Sequence, residues 1–214
     1  MEAIVLNRLT YFSEKHNIIP TNQAGFRKGR STTDHLVKLT TQIKRQFARR
    51  QNVLATFFDI SKAYDQVWHE RLLYKLKSIG LSGHIYNFVK TFLTNRTIQT
   101  RVGNTYSSKR QLDMGIPQGS VIAPILFNIL THDLPKFISK HCSLIQYADD
   151  ICLWMNATLK KNTPKRTIHY VRKTYQNDIN NIAKFMSENG LTLSPEKSHM
   201  MLFDAGGFLG NAPT

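Results

Sequence analysis

Hydrophobic and polar positions change rhythm several times along this chain, and the changes mark its elements. Residues 1–16 place Ile4, Val5, Leu6, Leu9 and Phe12 at helical spacing, so the chain opens on a helix with one apolar face. Pro20-Thr21-Asn22 breaks it. Leu36, Leu39, Ile43 and Phe47 repeat the spacing in a second helix, from Ser31 to about Arg50. Ser31 has N-cap chemistry, and Asp34 stands where a capping box needs its acid. The period then shortens: Val53-Leu54-Ala55-Thr56-Phe57-Phe58-Asp59 reads as a buried strand ending in a carboxylate. Helical spacing returns over residues 61–79, stopped by Gly80, and again over 85–93. Residues 97–102 and 105–112 predict a hairpin around Gly103-Asn104. A loop, Gly115-Ile116-Pro117-Gln118-Gly119-Ser120, leads into an apolar helix over 121–132.

The most pointed pattern comes next. Two apolar runs, 143–145 and 151–155, flank Gln146-Tyr147-Ala148-Asp149-Asp150, predicting a β-hairpin with adjacent acids at its tip. Residues 157–175 hold six Lys/Arg and no acid, including Lys160-Lys161, and read either as a solvated loop or as a nucleic-acid contact. A helix then runs to Glu188 and stops at Asn189-Gly190. Residues 191–193 and 199–203 flank Ser194-Pro195-Glu196-Lys197, and a small-residue tail closes the chain. The whole predicts an α+β fold, an antiparallel sheet with helices on one side.

Charge narrows the function. The 214 residues carry 29 Lys+Arg against 14 Asp+Glu, a net charge of +15, which points to a polyanion, most simply nucleic acid. Gln23-Ala24-Gly25-Phe26-Arg27-Lys28-Gly29-Arg30 is a Gly-punctuated basic loop suited to phosphate contact. Two cysteines, Cys142 and Cys152, form neither a disulfide framework nor a zinc spacing, which suits a reducing compartment. No apolar run reaches the roughly 18 residues of a membrane span, and Met1-Glu2-Ala3-Ile4 has no signal-peptide pattern.

Adjacent carboxylates repel, so a fold that holds them together supplies cations. Asp59 and Asp149 are the pair expected to bind two magnesium ions about 3.5–4 Å apart, the arrangement for in-line phosphoryl transfer. Neighbouring strand residues face opposite ways, so Asp149 is expected to bind metal directly and Asp150 more weakly or through water. The carbonyl of Ile60, next to Asp59, is a further candidate ligand. His69 and Asp65 read as structural, Asp65 from its expected helical position.

Residues 57–69, Phe-Phe-Asp-Ile-Ser-Lys-Ala-Tyr-Asp-Gln-Val-Trp-His, resemble the first catalytic motif of reverse transcriptases, particularly those of jockey-type non-LTR (LINE-like) retrotransposons. Residues 115–128 resemble their second motif, and Tyr147-Ala148-Asp149-Asp150 their signature box. Residues 23–32 resemble a fingers segment, and Gly190-Leu191-Thr192-Leu193 with Lys197 a later palm motif. The match runs over roughly 18–203, in the family's order, a conjunction far more specific than any single box.

The resemblance implies a right-hand polymerase palm with partial helical fingers: fingers over 1–52, palm over 53–204 with a helical and hairpin insertion at about 80–112, and a tail over 205–214. It implies an RNA-directed DNA polymerase using two Mg2+, with Mn2+ as a substitute, and an RNA template, a DNA primer and dNTPs as partners. Asp59, Asp149 and Asp150 are the implied catalytic residues. Tyr64 is the implied steric gate against a ribose 2′-hydroxyl, Gln118 and Gly119 the nucleotide contact, and Lys197 the group on the leaving pyrophosphate. Arg27, Lys28 and Arg30 are implied on the template backbone or the triphosphate. The expected setting is nucleus and cytoplasm, with no membrane partner. Relative to the family pattern, the chain is expected to begin inside the fingers and to lack a thumb. Three rival readings stand beside this one: a non-catalytic nucleic-acid-binding relic; another palm-class polymerase such as a group II intron maturase, telomerase or RNA-dependent RNA polymerase; and a magnesium-dependent phosphohydrolase or nuclease.

Overall fold

The computed structural model describes residues 1–159 and 162–204. Lys160-Lys161 and the tail from 205 onward therefore lie outside the described residues. In chain order the elements are α1 (Glu2–Lys15), α2 (Thr32–Ala48), β1 (Asn52–Phe58), α3 (His69–Ser78), α4 (Gly83–Leu93), β2 (Arg96–Ile98), β3 (Arg101–Val102), β4 (Thr105–Tyr106) and β5 (Arg110–Leu112). They continue with α5 (Ala123–Leu130), a 3-10 turn (Leu134–Phe137), β6 (Cys142–Tyr147), β7 (Asp150–Ala157), α6 (Lys165–Glu188) and β8 (His199–Phe203). No described helix is long and apolar enough to cross a membrane.

The chain divides into two compact units. One comprises Met1–Pro20, Ile60–Asp133 and Met186–Thr192, and is helical. Its core is built from Leu9 of α1, Leu72 and Leu76 of α3, Val89 and Leu93 of α4, and Leu126, Ile129 and Leu130 of α5, none of which keeps measurable exposure. Of the predicted α1 face, Val5 and Leu9 are buried but Ile4 is exposed, because the stripe is centred one turn position further round. The predicted hairpin over 97–112 forms as two short nested ladders, β2 with β5 and β3 with β4, interrupted between Ile98 and Arg101.

The other unit comprises Thr21–Asp59, Leu134–Phe185 and the residues from Leu193 on. It holds a four-stranded antiparallel sheet in the order β6-β7-β1-β8. Ser31 and Asp34 form the expected capping box at the start of α2, Asp34 accepting from the Ser31 backbone N–H at 2.7 Å. Leu39 of α2 packs with Val53, Ala55, Ile145, Cys152 and Trp154 on one face of the sheet. Thr56 points to the opposite face by strand alternation. There Tyr175 of α6 shares a hydrogen bond with the Thr56 hydroxyl at 2.9 Å and donates to the Leu153 carbonyl at 3.0 Å. Helices thus cover both faces of the sheet, a correction to the one-sided arrangement the pattern suggested. The strand sequences explain it: β1 and β7 are apolar at successive positions, not at alternate ones, so each has two faces to bury.

Two further boundaries move. Residues 61–66 form turns, and the helix expected over 61–79 begins only at His69. Lys62 has φ +43, which no α-helix accommodates. Asp65 therefore lies in a turn and not on a helix. The basic stretch 157–175 is helical from Lys165, following Pro164, whose carbonyl accepts from Thr167 and Ile168.

Candidate active site

The sheet assembles the acids. β1 delivers Asp59 at its end, and the β1–β7 register pairs Phe58 with Ile151. One step further along that register, Asp59 lies opposite Asp150. β6 and β7 pair as far as Tyr147 with Asp150, leaving Ala148-Asp149 as a two-residue turn. Ala148 adopts φ +55 there.

Two further segments hold these positions. The Asp59 N–H donates to Ser198 Oγ at 3.2 Å, and its carbonyl accepts from the Ser194 N–H at 2.9 Å. Lys197 is exposed on the turn that makes both contacts, since its own N–H and that of Ser198 return to the Ser194 carbonyl.

The second brace was not foreseen from the sequence. Gln23 is 1% exposed, and its side chain clasps the signature turn. Its Nε2 donates to the Ala148 carbonyl at 3.1 Å, while its Oε1 accepts from the Ala148 N–H at 2.9 Å and the Gly25 N–H at 2.8 Å. The backbone completes the join: Ala24 N–H donates to the Gln146 carbonyl and Gln146 N–H to the Asn22 carbonyl. Gly25 packs so closely that a Cβ there would lie 2.2 Å from the Ala148 nitrogen. Of the basic residues that follow, Arg27 is half-buried with Nη1 donating to the Gln23 carbonyl, while Lys28 and Arg30 are exposed. No local signal marks Gln23, because its partner is 125 residues away.

Electrostatics at the acids are strained. Burial raises the Asp150 pKa first, and the charges of Asp149 and Asp59 raise it further. Part of that burial comes from a pocket of about 280 Å³ between α2 and the sheet, lined by Leu36, Phe57, Phe58, Ile151 and His35 beside Asp150. His35 has its pKa lowered, chiefly by burial and then by Lys38, and sits edge-on to Tyr147 at 6.4 Å. Burial also pushes the Cys152 thiol up to about 12, so it is no nucleophile.

Among the described residues, no three His, Cys, Asp or Glu side chains converge as a ready metal cluster. The donor set still fits a hard divalent cation. It is all carboxylate oxygen, its charges oppose one another's ionisation, and none of the three acids has an ion-pair partner among the described residues.

The remaining candidates belong to the helical unit. Ile60 is buried directly after Asp59. Tyr64 stacks on Phe127 of α5 with centroids 5.1 Å apart. The loop carrying Gln118 and Gly119 is stitched to the Tyr64–His69 segment. Gly115 N–H donates to the Val67 carbonyl and Ile116 N–H to the Tyr64 carbonyl, each at 2.8 Å. The buried His69 ring places Nε2 2.7 Å from the Gly115 carbonyl, which only accepts, so Nε2 carries the proton. Gly115 has φ +91 and lies 3.0 Å, at Cβ distance, from the Asp65 carbonyl oxygen, so only glycine fits. Gln118 Nε2 donates to Asp65 Oδ1 at 2.9 Å. At the loop's far end Glu2 accepts from Ser120 Oγ at 2.7 Å and from the Val121 N–H at 3.2 Å.

Comparison with known proteins agrees with this layout. A model of the reverse transcriptase (RNA-dependent DNA polymerase) family matches residues 1–212. The chain is 37% identical over 158 residues to a probable RNA-directed DNA polymerase from transposon BS of Drosophila melanogaster, covering 71% of this chain and 17% of that protein. It is 32% identical over 164 residues to the RNA-directed DNA polymerase from mobile element jockey of Drosophila funebris, covering 74% and 18%. The chain thus spans under a fifth of the length of these relatives. In fold it resembles apo telomerase from Candida tropicalis truncated from its C-terminal domain, with a TM-score of 0.64 at 14% identity over 97% of this chain and 42% of that one. The chain belongs to the reverse transcriptase family, in company with the RNA-directed DNA polymerases of jockey-type non-LTR retrotransposons.

Proposed function

We propose that this chain is the fingers-and-palm portion of an RNA-directed DNA polymerase, extending a DNA primer on an RNA template with dNTPs. Residues 1–52 are assigned to the fingers and 53–204 to the palm, with 80–112 as an insertion. The observation that carries the reading is the sheet register that sets strand-end Asp59 opposite Asp150, beside a braced turn bearing Asp149. These three carboxylates would hold two Mg2+ ions, with the Ile60 carbonyl as a further ligand. When bound, the ions supply Lewis acidity to the primer 3′-hydroxyl and to the triphosphate.

The chain's own groups do the rest. Asp149 and Asp150 are kept in place by Gln23 and by strand pairing, so little reorganisation is left for the moment of reaction. Tyr64 screens the sugar and Gln118, with Gly119, contacts the nucleotide. Lys197 neutralises the departing pyrophosphate. Arg27, Lys28 and Arg30 grip phosphates of the template or the triphosphate. The reading carries a nuclear and cytoplasmic setting with it.

Purified protein with an RNA template, a DNA primer, dNTPs and Mg2+ tests the proposal. Extension by the wild-type chain and its loss in Asp149→Asn/Asp150→Asn is the expected result. Equal extension by both would overturn the catalytic assignment.

A further inference from the structure

Gln118 has one hydrogen-bond partner among the described residues, and that partner has only acceptors. Asp65 Oδ1 is a carboxylate oxygen, so the Gln118 atom 2.9 Å from it must be the amide nitrogen. The contact fixes the amide's flip. Nε2 is committed to Asp65, and the carbonyl Oε1 is what the loop presents outward. The loop itself cannot turn to offer the other end, because Gly115 and Ile116 are bonded to Val67 and Tyr64, and Ser120 is bonded to Glu2. Both Asp65 and Gln118 line a pocket of about 470 Å³, together with Arg96, Met114 and Pro117.

We propose that Asp65 is a specificity-determining positioning residue: it holds Gln118 with its acceptor outward, and so favours a nucleotide bearing a sugar 3′-hydroxyl over one lacking it. The inference rests on the reading of Gln118 as the nucleotide contact. The chemistry follows from counting donors. An outward carbonyl needs a donor, and base N–H groups are engaged in pairing with the template. The deoxyribose of a dNTP carries one free hydroxyl, at the 3′ position. A nucleotide without it leaves Oε1 unpaired in a desolvated contact, whereas a freely flipping amide would present its NH2 half of the time and blur the distinction.

The test is equilibrium binding of dTTP and ddTTP to the protein on an RNA template with a dideoxy-terminated DNA primer and Mg2+, which needs no turnover. The wild-type chain should bind dTTP about five-fold more tightly than ddTTP, the worth of one neutral hydrogen bond. Asp65→Ala should weaken dTTP several-fold, leave ddTTP within about two-fold, and collapse the preference. Asp65→Asn, whose Oδ1 still accepts from Nε2, should restore most of it. Gln118→Ala should abolish the preference whatever stands at position 65. Asp65→Ala with the preference intact, or with both nucleotides weakened equally, overturns the role of Asp65. A preference that survives Gln118→Ala, or a wild-type chain showing none, overturns the underlying reading of Gln118 and the inference with it.

Discussion

At Asp150 the fold works against ionisation. Burial and the charges of Asp149 and Asp59 raise its pKa, so the native state binds the proton more tightly than the unfolded chain does. Stability is then highest below the unfolded value, about 4, and falls as pH rises through the folded one. Asp150→Asn should therefore raise Tm at pH 7 in metal-free buffer, with the gain shrinking as pH falls towards 4; thermal melts across pH check this. Gln23 acts in the other sense. Gln23→Ala strips partners from the Ala148 N–H and carbonyl and from the Gly25 N–H. At about 1–3 kcal/mol for each buried group left unsatisfied, partly relieved by relaxation, a loss of about 3 kcal/mol is expected in urea unfolding. Gly25→Ala, driving a Cβ into the Ala148 nitrogen, should shift the amide resonances of Ala148, Asp149 and Asp150 and lower extension.

At the scale of elements, what could be read from the sequence is what neighbours in sequence decide. The capping box of Ser31 and Asp34, the strand into Asp59 and the hairpin around Ala148-Asp149 all rest on local pattern, and all form where expected. The segment 61–68 misleads, because its spacing is helical but its backbone bonds to the Gly115–Gln118 loop, some 50 residues on. The position of α6 was equally hidden: nothing in its own sequence says that Tyr175 reaches across to Thr56 and Leu153. That contact is testable by itself. Tyr175→Phe should cost about 1–2 kcal/mol, and a double-mutant cycle with Thr56→Val should recover part of it as coupling.

For the molecule as a whole, charge and acid placement pull in opposite directions. A net +15 draws polyanions in, while the most chemically committed spot is an island of carboxylates. A cation bound to the folded state alone stabilises it by mass action, so millimolar Mg2+ or Mn2+ should raise the Tm of the wild-type chain and not that of Asp149→Asn/Asp150→Asn. RNA binding should weaken steeply with salt, and the slope should diminish when Arg27, Lys28 and Arg30 are replaced by alanine. The acids and Gln118 were legible because their motifs stand in order along the chain. The groups that aim them, Gln23 for the turn and Asp65 for the amide, became visible only once distant segments were brought together.

The grip of Gln23 on Ala148 gives a trimmed chain an unexpected weakness. Deleting residues 1–30 would leave every strand of the sheet in place and its pairing untouched. Yet the bend bearing the acids would lose the partners of its amide and carbonyl, and with them its reason to keep Ala148 left-handed. Such a truncate should still fold around its sheet and bind Mg2+ poorly, its damage lying far from the cut in sequence and next to it in space.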